Sequence, residues 1–433
     1  MSSNNYNRSI INTIIFILFA ISMLLLTYDK LPFLNYASYS PSSIFTFFTA
    51  FFLILLVGYE LKSYDKWIIL FIIISVLHSI IAGLIFDDLN SSIQHIVTLL
   101  IGFSVFVVTR FSFERKKENL TYERILVISM IIPLFLGYLQ LLNQLGLNLN
   151  FVNEITSLFA ALVYEGRVQM GSSEPSWAVI HLLVIGTILI STAKKRFQKL
   201  IVFLMAILFI LSFSGLGYGV LIFSLILFGL ITNKYRGRVI ALLISAAIVV
   251  FLVIPFIIDY FNVQGYFIAR FDPRYLFSEK FLMTDQSGFV RIVFPLLGLI
   301  QFVNFPFGYG GGFFYTHFTE YLMQYFPYGY RFPEVVNYLY NPEIATSRNL
   351  FTKMLAEEGF YNFIIFIFFL IGIFRKVTGS YAKYIFCLAI ALLINFDSYA
   401  FIDFWFLLGI LASGYFNKDE VPTKIKKKYK LTW

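Results

Sequence analysis

The sequence predicts an all-α, polytopic integral membrane protein, and three observations carry that prediction. Hydrophobic residues make up 59% of the 433-residue chain, and charged residues only 13%, where soluble domains carry about 25%. Nearly uncharged runs recur along the whole length, many of them about 17 to 25 residues long, the span of a hydrocarbon core by a helix. Between the runs most connections are short, which leaves no room for a separate soluble catalytic domain, so residues 1–433 read as a single transmembrane domain.

About twelve spans follow in order: 10–27, 43–61, 67–86, 93–109, 125–143, 176–192, 199–213, 216–232, 239–258, 359–374, 381–396 and 399–416. The first is longer than a secretory hydrophobic region and lacks a small-x-small cleavage site, so it reads as an uncleaved signal-anchor. "DDLNSS" separates the third and fourth, and the solvated turn is the default reading for Asp87 and Asp88. "LSFSGLGYG" (211–219) turns between the seventh and eighth as a tight small-residue hairpin or a re-entrant tip.

Orientation follows from the basic residues. "RFSFERKKENLTYER", "AKKRFQK", "TNKYRGR", "RKVTGSYAK" and the tail "KIKKKYK" fall on alternate connections, which makes that side cytoplasmic together with both termini and the basic tail 417–433. The net charge of +9 therefore reflects membrane topology and does not indicate nucleic-acid binding. Of the 33 basic residues, the outer side holds Lys30, Arg167, Arg270, Arg274, Lys280, Arg291, Arg331, Arg348 and Lys353. All but Lys30 lie in two outer connections, 144–175 and the much longer 259–358. A connection of that length among short ones points to function. Its Phe, Tyr, Pro and Gly content predicts short helices lying on the outer surface.

Within these loops the charged residues each admit two readings. Arg291 opens "RIVFPLLGLIQFVNFPFGYGGG": either it anchors an interfacial helix, or it forms a cationic site. In the second reading Gly308, Gly310, Gly311 and Gly312 let backbone N–H groups approach an anion. The Lys and Ser/Thr of a nucleotide-binding P-loop are missing. Arg348 precedes a helical run, "NLFTKMLAEEGF", where the macrodipole disfavours a cation and a bound anion would relieve the conflict. Glu357 and Glu358 could pair along that run. In "GRVQMGSSEPSW" (166–177), Pro175 suits the first turn of a helix. Glu174 is then a cap or a catalytic base.

Guanidinium groups bind phosphate bidentately, so Arg167, Arg291 and Arg348 converging would hold a diphosphate without metal. His78, His95 and His181 lie in or beside spans and read as buried, hydrogen-bonded residues, which leaves His317 as the histidine placed for external acid–base work. Tyr315, Glu320 and Tyr321 nearby suit sugar contacts. Zinc spacings, a D-x-D pair and a nucleophile elbow are absent from the sequence, and no cofactor is implied. Cys387 reads as a small core residue.

Taken in order, "GRVQMGSSEPSW", "LSFSG", Arg291 followed by "FPFGYGGG", "SRNLFTKMLAEEG" and "FIDFWFLLGIL" resemble the Wzy-type O-antigen and capsular polysaccharide polymerases and the related O-antigen ligases. Arg348 and Gly359, ten residues apart between them, are similar to the arginine/histidine-x10-glycine pattern of that superfamily. The resemblance covers roughly residues 160–412. It implies a GT-C-like architecture and metal-independent, inverting glycosyl transfer on the outer face of a bacterial plasma membrane. It further implies polyprenyl-diphosphate-linked oligosaccharides as donor and acceptor, with a flippase and a chain-length regulator as partners. Arg167, Arg291 and Arg348 would hold the diphosphate, with Glu174 first and His317 second as general base. Ligases carry histidine where Arg348 stands and transfer to lipid A core, so the arginine favours a polymerase. A lipid-linked oligosaccharide flippase is the competing class. The nearly charge-free spans speak for the enzyme.

Overall fold

The structure, a computed structural model, describes residues 2–31, 40–114, 119–147, 149, 151–164, 167–212, 214–232, 236–248, 255 and 279–419. The end of the expected ninth span, residues 259–278 of the long connection with Arg270 and Arg274, and tail residues 420–433 lie outside them.

The described chain is helical. The first half contains α1 (Ser2–Leu24), α2 (Pro41–Phe52), α3 (Asp65–Ile85), α4 (Leu89–Glu114), α5 (Asn119–Ser129), α6 (Ile131–Leu142), α7 (Phe151–Phe159), α8 (Pro175–Thr192), α9 (Arg196–Leu211), α10 (Gly215–Ile231) and α11 (Arg236–Ile248). After the long connection come α12 (Glu279–Thr284), α13 (Gln286–Asn304), α14 (Phe318–Tyr325), α15 (Pro333–Tyr340), α16 (Leu350–Lys353), α17 (Gly359–Phe374), α18 (Ser380–Asn395) and α19 (Ile402–Ala412). Local chemistry sets several starts. Pro41 and Pro175 occupy first turns, where their missing N–H costs nothing. Asp285 caps α13 by accepting from the Gly288 amide at 2.9 Å.

Six helical segments among the described residues are long and apolar enough to cross a membrane: Asp65–Ile85, Leu89–Glu114, Thr121–Leu147, Pro175–Thr192, Gln286–Asn304 and Leu350–Phe374. A seventh arises if α9 and α10, bent 113° from one another, form one broken span. Ile10–Leu24, Pro41–Val57, Ser380–Asn395 and Ile402–Ala412 are apolar but shorter. The chain is thus a helical protein built for a membrane. The lipid-facing chemistry is visible on α3, where Ile73, Leu77, Ile81 and Leu84 form a stripe at helical spacing, each more than half exposed. A protein in water would bury such a stripe.

The long connection does form short helices, but Gln286–Asn304 is longer than expected, a 19-residue apolar helix in which Arg291 is the one charged side chain, of a length and composition that could cross a membrane.

The core has two parts. In the larger, α4 packs along α2, α3 and α19, α17 lies against α3, and α10 against α18. A Cβ on Gly102 of α4 would fall 2.2 Å from the Trp405 indole nitrogen, so glycine is what lets this buried tryptophan reach α4. The smaller core belongs to the long connection itself: Phe289, Phe294 and Leu297 of α13 pack with Phe318 and Leu322 of α14 and Val335 and Tyr338 of α15. That second core fixes the position of the charged residues on α15.

Candidate functional site

The candidate residues lie in the connections 144–175 and 259–358. The first is pinned from below. Gln140 of α6 accepts the amides of Gln169 and Met170 at 2.9 and 2.8 Å, and its own amide donates to Thr156. Asp29, just after α1, accepts the Ser173 amide. Burial raises the Asp29 carboxyl above its ordinary range, and the Ser173 hydrogen bonds oppose that rise. Glu174 follows at the N-cap position of α8 yet makes no side-chain cap. Its carboxylate instead accepts the Ser176 hydroxyl at 3.0 Å. The capping reading of Glu174 is therefore corrected: the position fits, but the carboxylate is directed elsewhere.

The second connection contributes Arg348. Its Nη2 donates to Glu334 Oε1 at 3.1 Å and to the Tyr338 hydroxyl. The same hydroxyl donates to Glu334 Oε1 at 3.2 Å, and Gln286 Nε2 donates to Glu334 Oε2 at 2.9 Å. Behind the guanidinium stands Asp397, between α18 and α19, whose carboxylate accepts the Thr346 hydroxyl. Burial pushes the Asp397 carboxyl up, but the charges of Arg348 and Lys353 outweigh burial and hold it below the ordinary aspartate value. Burial likewise opposes the Arg348 charge, and Asp397, Tyr338, Glu334 and Glu174 overcome it, so the guanidinium is more firmly protonated than in water. Tyr338 is pushed up to about 12, first by burial, and remains a proton donor.

Electrostatics ties the loops together. Glu174 acts on Arg348, and Tyr164 is raised by burial and feels Glu174, Arg167 and Glu334 at once. Charges of the two connections thus act on one another. Arg291 stands seven residues before Gly298, nearly two turns along the same stripe of α13. At Gly298 a Cβ would lie 3.3 Å from Ser347 Cβ, next to Arg348. One turn after Arg291, Phe294 packs edge-on against Tyr338 at 5.5 Å.

Backbone chemistry around Arg348 differs from expectation. Asn349, not an external anion, caps α16, accepting the amides of Phe351 and Thr352 at 2.9 and 3.1 Å. Asp397 and Glu334 already answer the arginine's charge. Arg348 itself has φ +56°, the left-handed region that costs a non-glycine residue about 1–2 kcal/mol.

The glycine loop is a packing device. The Gly310 and Tyr309 amides donate to the carbonyls of Glu357 (2.8 Å) and Ala356 (3.0 Å). The Gly312 amide donates to the Glu357 carboxylate at 3.1 Å, and the Gly308 amide to Phe305 O at 3.0 Å. A Cβ on Gly311 would meet the His95 ring at 2.2 Å. The expected cradle of Gly308, Gly310, Gly311 and Gly312 around an anion is therefore corrected, because the amides of Gly308, Gly310 and Gly312 point at protein acceptors and the missing side chains of Gly310, Gly311 and Gly312 admit α3 and α4.

His317 is also set apart. Its Nδ1 lies 3.0 Å from Glu320 Oε2, and its ring sits between Tyr309 (4.8 Å) and Tyr321 (5.6 Å). None of its described contacts reaches Glu174 or Arg348, so the two expected bases do not share a site. Asp88 is more than a solvated turn. It accepts the Ser91 amide and the Tyr315 hydroxyl, the latter at 2.7 Å, which fastens the long connection to α4.

Sequence reading missed the ionisable pairs inside the bundle. His95 Nε2 is 2.8 Å from Glu358 and its Nδ1 3.6 Å from Glu357. His181 Nδ1 is 2.9 Å from Asp403, and Arg110 Nη1 2.5 Å from Asp65. All are buried; Asp403, His95 and His181 fall within the expected spans, and Asp65, Arg110, Glu357 and Glu358 just beyond their ends. The adjacent carboxylates Glu357 and Glu358 in an apolar run, and Asp403 in "FIDFWF", were the available signals.

Fold and site together define a helical membrane protein with a mixed-charge cluster around Arg348. Comparison of the chain with protein-family models, curated proteins and solved structures gave no match.

Proposed function

We propose that the chain is a polysaccharide polymerase: a metal-independent, inverting glycosyltransferase that joins polyprenyl-diphosphate-linked oligosaccharide repeat units at the outer face of a bacterial plasma membrane. In this reading the twelve apolar runs cross the membrane, both termini are cytoplasmic, and the architecture is GT-C-like. The observation that carries it is Arg348 in its mixed-charge cluster with Glu334 and Tyr338, with Glu174 of the other connection acting on its charge and Arg291 on the helix that packs against Ser347.

In the reaction, the acceptor hydroxyl oxygen attacks the donor's anomeric carbon while the bond from that carbon to the phosphate oxygen breaks. The electron pair leaves with the diphosphate, whose growing charge the arginines offset. The hydroxyl proton passes to Glu174, which is half-buried and acts on the charge of Arg348. With Arg348 in place of the ligases' histidine, a second repeat unit rather than lipid A core is the acceptor. A chain-length regulator and a flippase are the protein partners of such an enzyme.

A specific observation favours a second reading, a transporter of lipid-linked oligosaccharide. Ionisable pairs buried in membrane helices mark transport pathways. Here His95 meets Glu357 and Glu358 where the helix breaks between Lys353 and Gly359. Reconstitution into sealed vesicles with a lipid-diphosphate-linked repeat unit separates the two. The polymerase reading expects a ladder of elongated glycans; transbilayer movement of the lipid with no elongation overturns it.

A further inference from the structure

The contacts around Glu334 form a receptor for an oxyanion. Three donors from separate elements converge on its carboxylate: Arg348 Nη2 at 3.1 Å, the Tyr338 hydroxyl at 3.2 Å and Gln286 Nε2 at 2.9 Å. A guanidinium, a phenol and a carboxamide arranged around two oxygens provide the donor set that a phosphate oxygen pair takes. Two features distinguish this arrangement from an ordinary surface ion pair. Arg348 adopts a left-handed backbone, at a cost, to present its side chain there. The guanidinium also has two anionic partners of unlike kind.

Asp397 is half-buried: its carboxylate is held by Thr346 and feels the charges of Arg348 and Lys353. The Glu334 side chain is one-third exposed, at the start of an eight-residue helix that packs Val335 and Tyr338 into the small core. Glu334 is the carboxylate hydrogen-bonded to Arg348, and the partner whose departure would open the donors.

We propose that Glu334 is a built-in placeholder. Its carboxylate occupies an oxyanion site formed by Gln286, Tyr338 and Arg348, and it gives that site up to a phosphate or diphosphate group. The proposal rests on the polymerase reading for the identity of the ligand, the donor's diphosphate, but the site itself is argued from geometry alone. In the resting protein the carboxylate keeps the donors satisfied and oriented, which avoids leaving Arg348 half-paired when no substrate is bound. Anion binding then exchanges one carboxylate for another oxyanion, with little reorganisation of the donors. Glu334 acts on the reaction through Arg348 and is a positioning residue.

The test uses inorganic pyrophosphate as probe, titrated by calorimetry into the full-length detergent-purified protein. Glu334→Gln removes the competing charge while keeping a side chain able to fill the space. Pyrophosphate should bind this variant about tenfold more tightly than the wild type, the scale on which one charge-assisted hydrogen bond counts. Glu343→Gln, an exposed carboxylate on the same connection, controls for simple removal of negative charge and should change affinity little. Equal tightening by both variants, or no tightening by Glu334→Gln, overturns the placeholder. Thermal midpoints of both variants, recorded in the same buffer, identify a misfolded sample, and Glu334→Asp then replaces Glu334→Gln. The shorter Glu334→Asp carboxylate should also tighten pyrophosphate binding, though by less; unchanged or weaker binding overturns the placeholder. A tightened pyrophosphate site in a protein that makes no glycan ladder would leave the oxyanion site standing and remove the polymerase reading alone.

Discussion

Replacing Gly359 by alanine is a sharp test of how the long connection docks on the bundle. Gly359 has φ +76° and ψ 174°, backbone that essentially only glycine adopts. It also lies against Phe307, where an added Cβ would fall 2.3 Å from the carbonyl oxygen and 2.4 Å from the carbonyl carbon. Two costs therefore add: about 1–2 kcal/mol for the left-handed-side backbone and about 1–3 kcal/mol for forcing apart packed backbone, a total of about 2–5 kcal/mol. Gly58 supplies the control. Its φ is +82°, but nothing lies within 4 Å of its Cβ position, so Gly58→Ala should carry only the first cost. Both variants, purified in the same detergent, are compared by reversible denaturant titration followed by tryptophan fluorescence. Gly359→Ala should lose clearly more stability than Gly58→Ala. Equal losses would mean that the Phe307–Gly359 contact is not made, and the description of the glycine loop as a packing device would fall with it.

Other predictions concern the charges. Arg348→Lys should reduce elongation nearly as far as Arg348→Ala, because an ammonium cannot keep the paired geometry to Glu334 and Tyr338; product length on gels is the readout. Removing one member of the buried Arg110–Asp65 pair, as in Asp65→Asn, should cost about 3–5 kcal/mol in denaturant titration, with the Asp65→Asn/Arg110→Met double variant costing less than the sum. Asp397 has its pKa lowered in the folded protein, so its contribution to stability is complete above the ordinary aspartate range and is lost as pH falls through the lower folded value. Thermal midpoints measured across that acid range should fall less steeply for Asp397→Asn than for the wild type.

Much of the helical layout was legible because apolar run length is a local property. Helices stand at each of the twelve expected runs, although Ile402–Ala412 is much shorter than 399–416 and the ninth is described only to Ile248. The residues from Arg167 to Glu174 and Arg348 were legible as isolated charges in apolar surroundings. Their partners were not. Glu334 looks in sequence like any first-turn glutamate of an amphipathic helix, and only the packing of Phe294 on Tyr338 brings it to Arg348. His95 and Glu358 are over 260 residues apart, so their pairing exists only in the tertiary structure. "GYGGG" is ambiguous for a physical reason: missing side chains serve close packing and anion approach equally well. Which of the two applies depends on what stands opposite, here α4 with His95.

The central claim is that the cluster around Arg348 transfers glycan from a diphosphate lipid. Its most direct measurement is product length from the purified protein supplied with its cognate lipid-diphosphate-linked repeat unit, wild type beside Arg348→Ala. The account predicts a ladder from the wild type and unextended repeat unit from the folded variant. A wild type that extends nothing, or an Arg348→Ala protein that extends as well as the wild type, would contradict it.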